Sequence, residues 1–332
     1  MRRVIHLDTP VSILAAASAV GYEEFRGPLG EEFDYHDDSD RFGEKTYERA
    51  EGELAHIALN LALKRARLSH TEIDLLYAGD LQNQCVASSG GLLSFGIPYI
   101  GLYGACSTLG EGLFSGAMAL CAAKELTRVA VVTTSHNSAA ERQFRLPLEY
   151  GGQRTPTAQW TATAGGAYIL GRGDGVRITH LMAGRITDFG IRDAANMGAA
   201  MAPAACDSIL TFLKESNTRP EEYDAIITGD LGREGSSLLR QMLWREGVDL
   251  SCHYDCGAMI YHEKKQDSHA GGSGCGCSAA VFAAHFFKKL VGGGMRRALL
   301  IPTGALMSPS SIAQGGSIAG IAPVICLEGC KC

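Results

Sequence analysis

The chain has 332 residues, 46% of them apolar and 20% charged, which excludes wholesale disorder and supplies a sizeable core. Thirty Lys and Arg stand against 36 Asp and Glu, a net charge of −6, so no basic field exists to attract nucleic acid or anionic lipid. Eleven cysteines are scattered without paired C-x-x-C knuckles, a pattern that argues against a zinc framework and for free thiols in a reducing compartment.

In chain order, Arg2 and Arg3 precede an apolar run from Val11 to Val20. It loosely mimics a signal peptide, but Asp8 and Pro10 interrupt it, and a buried first strand is the better reading. Six of the ten residues from Glu31 to Asp40 are acidic. They lack calcium-loop spacing and predict a solvated loop. Tyr47, Ala50, Leu54, Ile57, Ala58 and Leu61 recur at helical spacing. A short apolar strand follows, ending in Gly79-Asp80-Leu81. Gly104-Ala105-Cys106-Ser107 opens a helix running through Leu126, and Val129–Ser135 reads as the next strand. The uncharged apolar stretch from Gly112 to Ala123 has 12 residues, short of the ~20 that a membrane helix needs.

The second half repeats this order. Asp224 to Leu231 resembles Asp74 to Leu81 at an offset of 150 residues, with Met201, Ala205, Ile209, Phe212 and Leu213 as the preceding helix. Gly276-Cys277-Ser278 opens a helix through Leu290, followed by the strand Arg297–Ile301. So long a period means a duplicated domain, with halves 1–175 and 176–332. The helices after Cys106 and Cys277 are apolar nearly all round. They must therefore be covered on every side, which predicts paired central helices between two sheets: a five-layer α/β/α/β/α fold.

The candidate site residues sit at strand ends and helix starts. Cys106 stands at a buried helix N-terminus, where free N–H groups favour an anion and lower a thiol's pKa. It reads as a nucleophile or anion pocket, with a packed core thiol as the alternative. His136 and Asn137 follow a strand at the usual ligand crevice; a structural histidine is the alternative. Asp80 lies at the equivalent strand end or caps a helix before Asn83, and its repeat mate Asp230 reads as structural. The segment Ala139–Gln153 is polar and carries Arg142 and Arg145. Arg142 is the first choice to fork onto a ligand carboxylate. Cys252 to Cys256 lacks further metal ligands at suitable spacing, and Cys326, Cys330 and Cys332 read as edge or exposed thiols. No phosphate-loop or dinucleotide fingerprint is present, so no cofactor and no metal are expected.

Duplicated α/β halves, a buried helix in each and a cysteine at the first helix's N-terminus resemble the thiolase-like superfamily. More narrowly, Ala78 to Gln84, Gly104 to Thr108, Ser135-His136-Asn137, Ala140 to Arg145, Glu149 to Gln153, Asn196-Met197-Gly198, Ala270 to Cys275 and Thr303 to Leu306 resemble the stage V sporulation protein AD family of endospore-forming bacteria. That resemblance implies binding of dipicolinic acid, with or without calcium, for its uptake into the developing spore. The site would hold Cys106, His136, Asp80, Arg142 and Asn137. It also implies membrane-protein partners from the same sporulation operon, a homodimer paired through strand Tyr99–Tyr103, and a cytoplasmic location at the spore inner membrane. A condensing enzyme of the superfamily needs a His and an Asn or His in its second half. The corresponding stretches here read Gly229-Asp230-Leu231-Gly232 and Gly271-Gly272-Ser273-Gly274. The expectation is therefore a non-catalytic binder, with an acyl-transfer or condensing enzyme using Cys106 as the alternative.

Overall fold

The computed structural model describes residues 3–144 and 154–330. Five strands come from the first half of the chain: β1 (Val4–Gly21), β2 (Leu75–Gly79), β3 (Tyr99–Leu102), β4 (Arg128–Ser135) and β5 (Ala164–Gly171). Five more follow: β6 (Val176–Met182), β7 (Ala225–Thr228), β8 (His253–Asp255), β9 (Arg297–Ile301) and β10 (Val324–Glu328). They lie side by side in the order β3-β2-β4-β5-β1-β6-β10-β9-β7-β8. Read inward from either edge, the two sets of five have one order, each second-half label being five higher. In both, the first three strands from the edge run parallel and the fourth turns antiparallel. The sets meet where β1 pairs antiparallel with β6.

Strand alternation decides the layers. Val129 and Val131 on β4 face one side, Ala130 and Val132 the other, and both sets are buried. On β9, Ala298 and Leu300 are likewise opposed to Leu299 and Ile301. Both faces of each sheet half are therefore covered, which explains the near-continuous apolar runs. Helix α1 (Tyr47–Ala66) covers the outer face of the first half through Leu54 and Leu59. Helices α4 (Met197–Ser216) and α5 (Gly232–Arg245) cover the outer face of the second through Phe212, Leu239 and Leu243. Between the halves lie α2 (Thr108–Ala122) and α6 (Cys275–Val281), the latter continuing through a π turn at Phe282–Phe286. Leu109, Leu113, Leu120, Val281, Phe282 and Phe286 form one cluster with inward residues of both halves. Burying each such side chain contributes roughly 1.5–3 kcal/mol. The five expected layers are present.

The repeat extends to the caps. Thr46 accepts from Arg49 N to start α1, and Asn196 accepts from Ala199 N to start α4. Both helices end in a left-handed residue, Arg67 (φ 56) and Asn217 (φ 53), which frees the chain to turn back. The central helices differ from expectation in one respect. α2 keeps a half-buried flank, with Phe114, Met118, Ala119 and Cys121 packed only on their inner sides.

The acidic segment is not a solvated loop. Tyr35–Asp37 pairs parallel with the end of β1. Asp34 accepts from Ser18 N and Oγ and forms ion pairs with Arg65 and Lys288. Net acidity in sequence hid these partners, all distant along the chain.

Candidate functional site

The parallel strands deliver polar residues to one end of the sheet: Asp80 after β2, His136 after β4, Asp230 after β7 and Thr303 after β9. The N-termini of α2 and α6 stand over the same end. Between them lies a cavity of about 240 Å³ lined by Tyr103, Cys106, Phe144, Thr161, Gly274 and Met307, among others. The turn into α2 is strained: Ala105, a non-glycine residue, has φ 53, and left-handed backbone of this kind clusters at functional turns. It aims Cys106 into the cavity.

The Cys106 thiol is hydrogen-bonded to the Asp230 carboxylate. Asp230 also accepts from Thr303 Oγ1 at 3.0 Å and from Gly274 N at 3.0 Å, so it ties together the starts of both central helices. Burial pushes Asp230 up to about 7, against the pull of the bonds from Cys106 and Thr303. Burial also raises the Cys106 thiol well above its ordinary range, and the neighbouring Asp230 charge adds to that. The thiol is thus protonated at neutral pH and donates. Behind Asp230, Asp255 accepts from Thr228 Oγ1 at 2.7 Å and from the backbone of Leu231, Gly232 and Ala258 at 2.9 Å each. It organises the turn after β7.

Of the five expected site residues, Cys106 lines this cavity and the other four have other neighbours. Asp80 accepts from Gln82 N at 2.8 Å, Ser88 N at 2.8 Å and Ser88 Oγ at 2.5 Å. Those bonds fold the chain back after β2. His136 bonds through Nε2 to the Asp40 carbonyl at 2.7 Å, and its ring lies 5.2 Å from that of Tyr47. Burial pushes its pKa down, and Nδ1 is buried without a partner. Arg142 pairs with Glu48 and lies over the same Tyr47 ring. Asn137 donates through Nδ2 to Thr161 O at 3.1 Å, so it supports the cavity wall from behind. Arg145 and the rest of its segment to Gln153 lie outside the described residues, as does Cys332.

Sequence reasoning missed Asp230, Thr303, Tyr103, Phe144 and Met307. The strand-end argument that nominated Asp80 applies equally to Asp230 and Thr303. Among the described lining residues the one charged group is Glu141, and none is a His or Asn. Among the described residues no group of three or more His, Cys, Asp or Glu could hold a metal ion, and no helix is long and apolar enough to cross a membrane.

The profile of the family described as Stage V sporulation protein AD matches residues 1–328. The Stage V sporulation protein AD of Bacillus subtilis (strain 168) is 41% identical over 321 residues, covering 96% of this chain and 94% of that one. In fold the chain is similar to AbyA1, a tetronic acid condensing enzyme, at 18% identity and a TM-score of 0.62, covering 96% of this chain and 100% of that one. It is also similar to 3-oxoacyl-[acyl-carrier-protein] synthase III from Aquifex aeolicus VF5, at 13% identity and a TM-score of 0.58 over 96% and 99%. A third similar structure is OleA of Xanthomonas campestris, at 15% identity and a TM-score of 0.61 over 97% and 99%.

Proposed function

The chain belongs to the stage V sporulation protein AD family, and on that premise we propose that it binds dipicolinic acid in the Cys106 cavity without catalysing a reaction. The observation that carries this reading is the pairing of Cys106 with Asp230. Thioester condensation needs a donor to hold the oxyanion and a base to activate the thiol. Asp230, pushed up to about 7, is only part-charged at neutral pH. Its charged form opposes a thiolate beside it, and the Cys106 thiol stays well above its ordinary range. No described lining residue is a His or Asn that could hold the oxyanion. The cavity instead suits a small planar ring. Tyr103, Phe144 and Met307 supply apolar walls, Thr161, Ser273 and Ser308 supply hydroxyls, and two helix N-termini supply positive potential.

As part of the same proposal the protein serves dipicolinate uptake into the developing spore. It would be a peripheral component of a membrane complex at the spore inner membrane, on its cytoplasmic side, with operon-encoded membrane proteins as partners. The chain would divide into halves 1–175 and 176–332. A second copy would cover the edge strand β3, where Tyr99, Ile100 and Tyr103 are exposed and the backbone edge is open to pairing. His136, Asp80, Asn137 and Arg142 would act by holding the walls around Cys106.

Calorimetric titration with dipicolinate, with picolinate as the one-carboxylate control, tests the reading. Thr161→Val should weaken dipicolinate binding roughly tenfold to a hundredfold, the loss of one hydrogen bond to a charged group. Absence of heat with the wild type would overturn it. The second reading, a condensing enzyme, is favoured by the fold likeness to condensing enzymes. It predicts a covalent acyl adduct on Cys106 by intact mass after incubation with acyl-CoA.

A further inference from the structure

Far from the cavity, where β1 meets β6, His6 and His180 are direct cross-strand partners. His6 Nδ1 and His180 Nε2 face each other at 3.2 Å, with ring centroids 4.7 Å apart. The outer nitrogens set the tautomers. Thr179 Oγ1 donates its hydrogen to the Cys326 carbonyl, so its lone pairs accept from His180 Nδ1 at 3.1 Å. That leaves His180 Nε2 without a hydrogen. On the other side, His6 Nε2 lies 3.9 Å from the Asp8 carboxylate, beyond hydrogen-bond reach. With that tautomer of His180, the hydrogen shared across the 3.2 Å gap is the one on His6 Nδ1.

We propose that His6 and His180 form a two-imidazole clamp for a divalent first-row transition metal ion, which replaces that shared hydrogen bond. Two nitrogens bound to one ion at ~2.0–2.1 Å are about 2.9–3.4 Å apart for angles between octahedral and tetrahedral, and the observed separation falls inside this window. His180 has its outer nitrogen held by Thr179 Oγ1, the arrangement that orients metal-bound histidines and raises their basicity, and the Asp8 carboxylate stands 3.9 Å from His6 Nε2. Soft-to-borderline imidazole pairs select nickel, copper or zinc over calcium or magnesium. His6 and Asp8 are exposed and His180 is half-buried against Phe212, so an ion reaches the clamp from solvent and keeps its remaining positions for water. On binding, the Nδ1 proton of His6 leaves to solvent while Nε2 takes one up from solvent, so the ring stays neutral and its Nδ1 lone pair enters the coordination sphere.

Calorimetric titration of the full chain with Ni²⁺, repeated in two buffers of different ionisation enthalpy, tests this. The expected result is one equivalent bound, an affinity that falls as pH drops from 7.5 to 5.5 because protons compete with the ion for the imidazoles, and at least a tenfold loss in His6→Gln. Asp8→Asn should weaken binding less than His6→Gln does, since its carboxylate stands 3.9 Å from the ring. His6→Gln sits on an exposed strand position, and an unchanged melting temperature without metal will show that the fold is retained. Absence of binding by the wild type at 1 mM Ni²⁺, or equal binding by His6→Gln with the ion then held by cysteines, would overturn the clamp.

Discussion

Asp80 and Asp230 occupy matching positions in the two halves, each within two residues of the end of a central parallel strand, yet their hydrogen bonds go to different places. Asp80 spends its acceptors on its own half, folding residues 82–88 back over the strand end. Asp230 reaches across: to Thr303 and Gly274 of its own half and to Cys106 of the other. The helix starts diverge in parallel. Cys106 faces a cavity, whereas Cys277, its counterpart, is fully buried in the central core. One residue earlier, a Cβ added to Gly276 would lie 1.8 Å from the Ala164 carbonyl, while the matching Ala105 carries its Cβ and takes the strained left-handed turn instead. Duplication supplied two equivalent turns. Close packing closed one of them, and the open one kept the reactive group.

The harshest way to break this comparison is at the closed turn. Gly276→Ala forces a methyl into backbone that cannot yield, and should cost more than the 1–3 kcal/mol typical of overpacking, seen as lost folded yield or a sharply lower denaturation midpoint. Ala105→Gly should stay within about 1 kcal/mol of wild type, because relieved strain offsets added chain entropy. Equal damage from the two would mean that both turns are equally packed.

A smaller effect should separate the two aspartates. Asp80→Ala leaves buried N–H groups without acceptors, at ~1–3 kcal/mol each, and should leave Cys106 unaltered. Asp230→Asn removes the charge beside the thiol, so alkylation of Cys106 by iodoacetamide at pH 8 should rise several-fold in peptide mapping. A rate change in Asp80→Ala, or none in Asp230→Asn, would merge the two roles.

The smallest effect is electrostatic. Glu24, buried beside Tyr261 and Asp40, is pushed up to about 8, and Asp230 to about 7. Their unfolded counterparts titrate near 4. Between pH 6.5 and 8 the folded chain therefore holds protons that the unfolded chain has already released, and rising pH favours unfolding. His253, pushed down to about 4 by burial, is neutral when folded, while its unfolded counterpart near 6.5 still loses protons at the low end of this interval, a smaller effect of opposite sign. Glu51, which burial and the neighbouring Asp80 also push well above its ordinary range, acts in the same direction. Stability should fall by about 2 kcal/mol or more across that interval in urea melts, and Glu24→Gln should flatten part of the slope.

The fold was legible because its signals are local and doubled. A helix apolar all round, a strand ending in Gly-Asp-Leu and a glycine-bearing turn each occur twice at matching spacing, and each copy supports the other. The site was legible only at Cys106, where a helix start declares itself in sequence. Asp230 looked structural because its sequence neighbours match those of Asp80. Its contacts to Gly274, Thr303 and Cys106 depend on which turn is open, a property of packing across halves. His6 and His180, 174 residues apart, meet only through the register of two antiparallel strands, which no spacing rule encodes.

The junction between β1 and β6 has a consequence for how the chain is made. β1 presents Val4, Ile5, Val11 and Ile13 to β6 along the margin of the first half. Until residue 176 and its neighbours emerge and dock, that margin is an unpaired apolar edge, the kind that recruits strands from other chains. The second half is thus the shield of the first during synthesis. A fragment ending near residue 175 should accumulate as aggregates, and supplying residues 176–332 in trans should rescue its solubility.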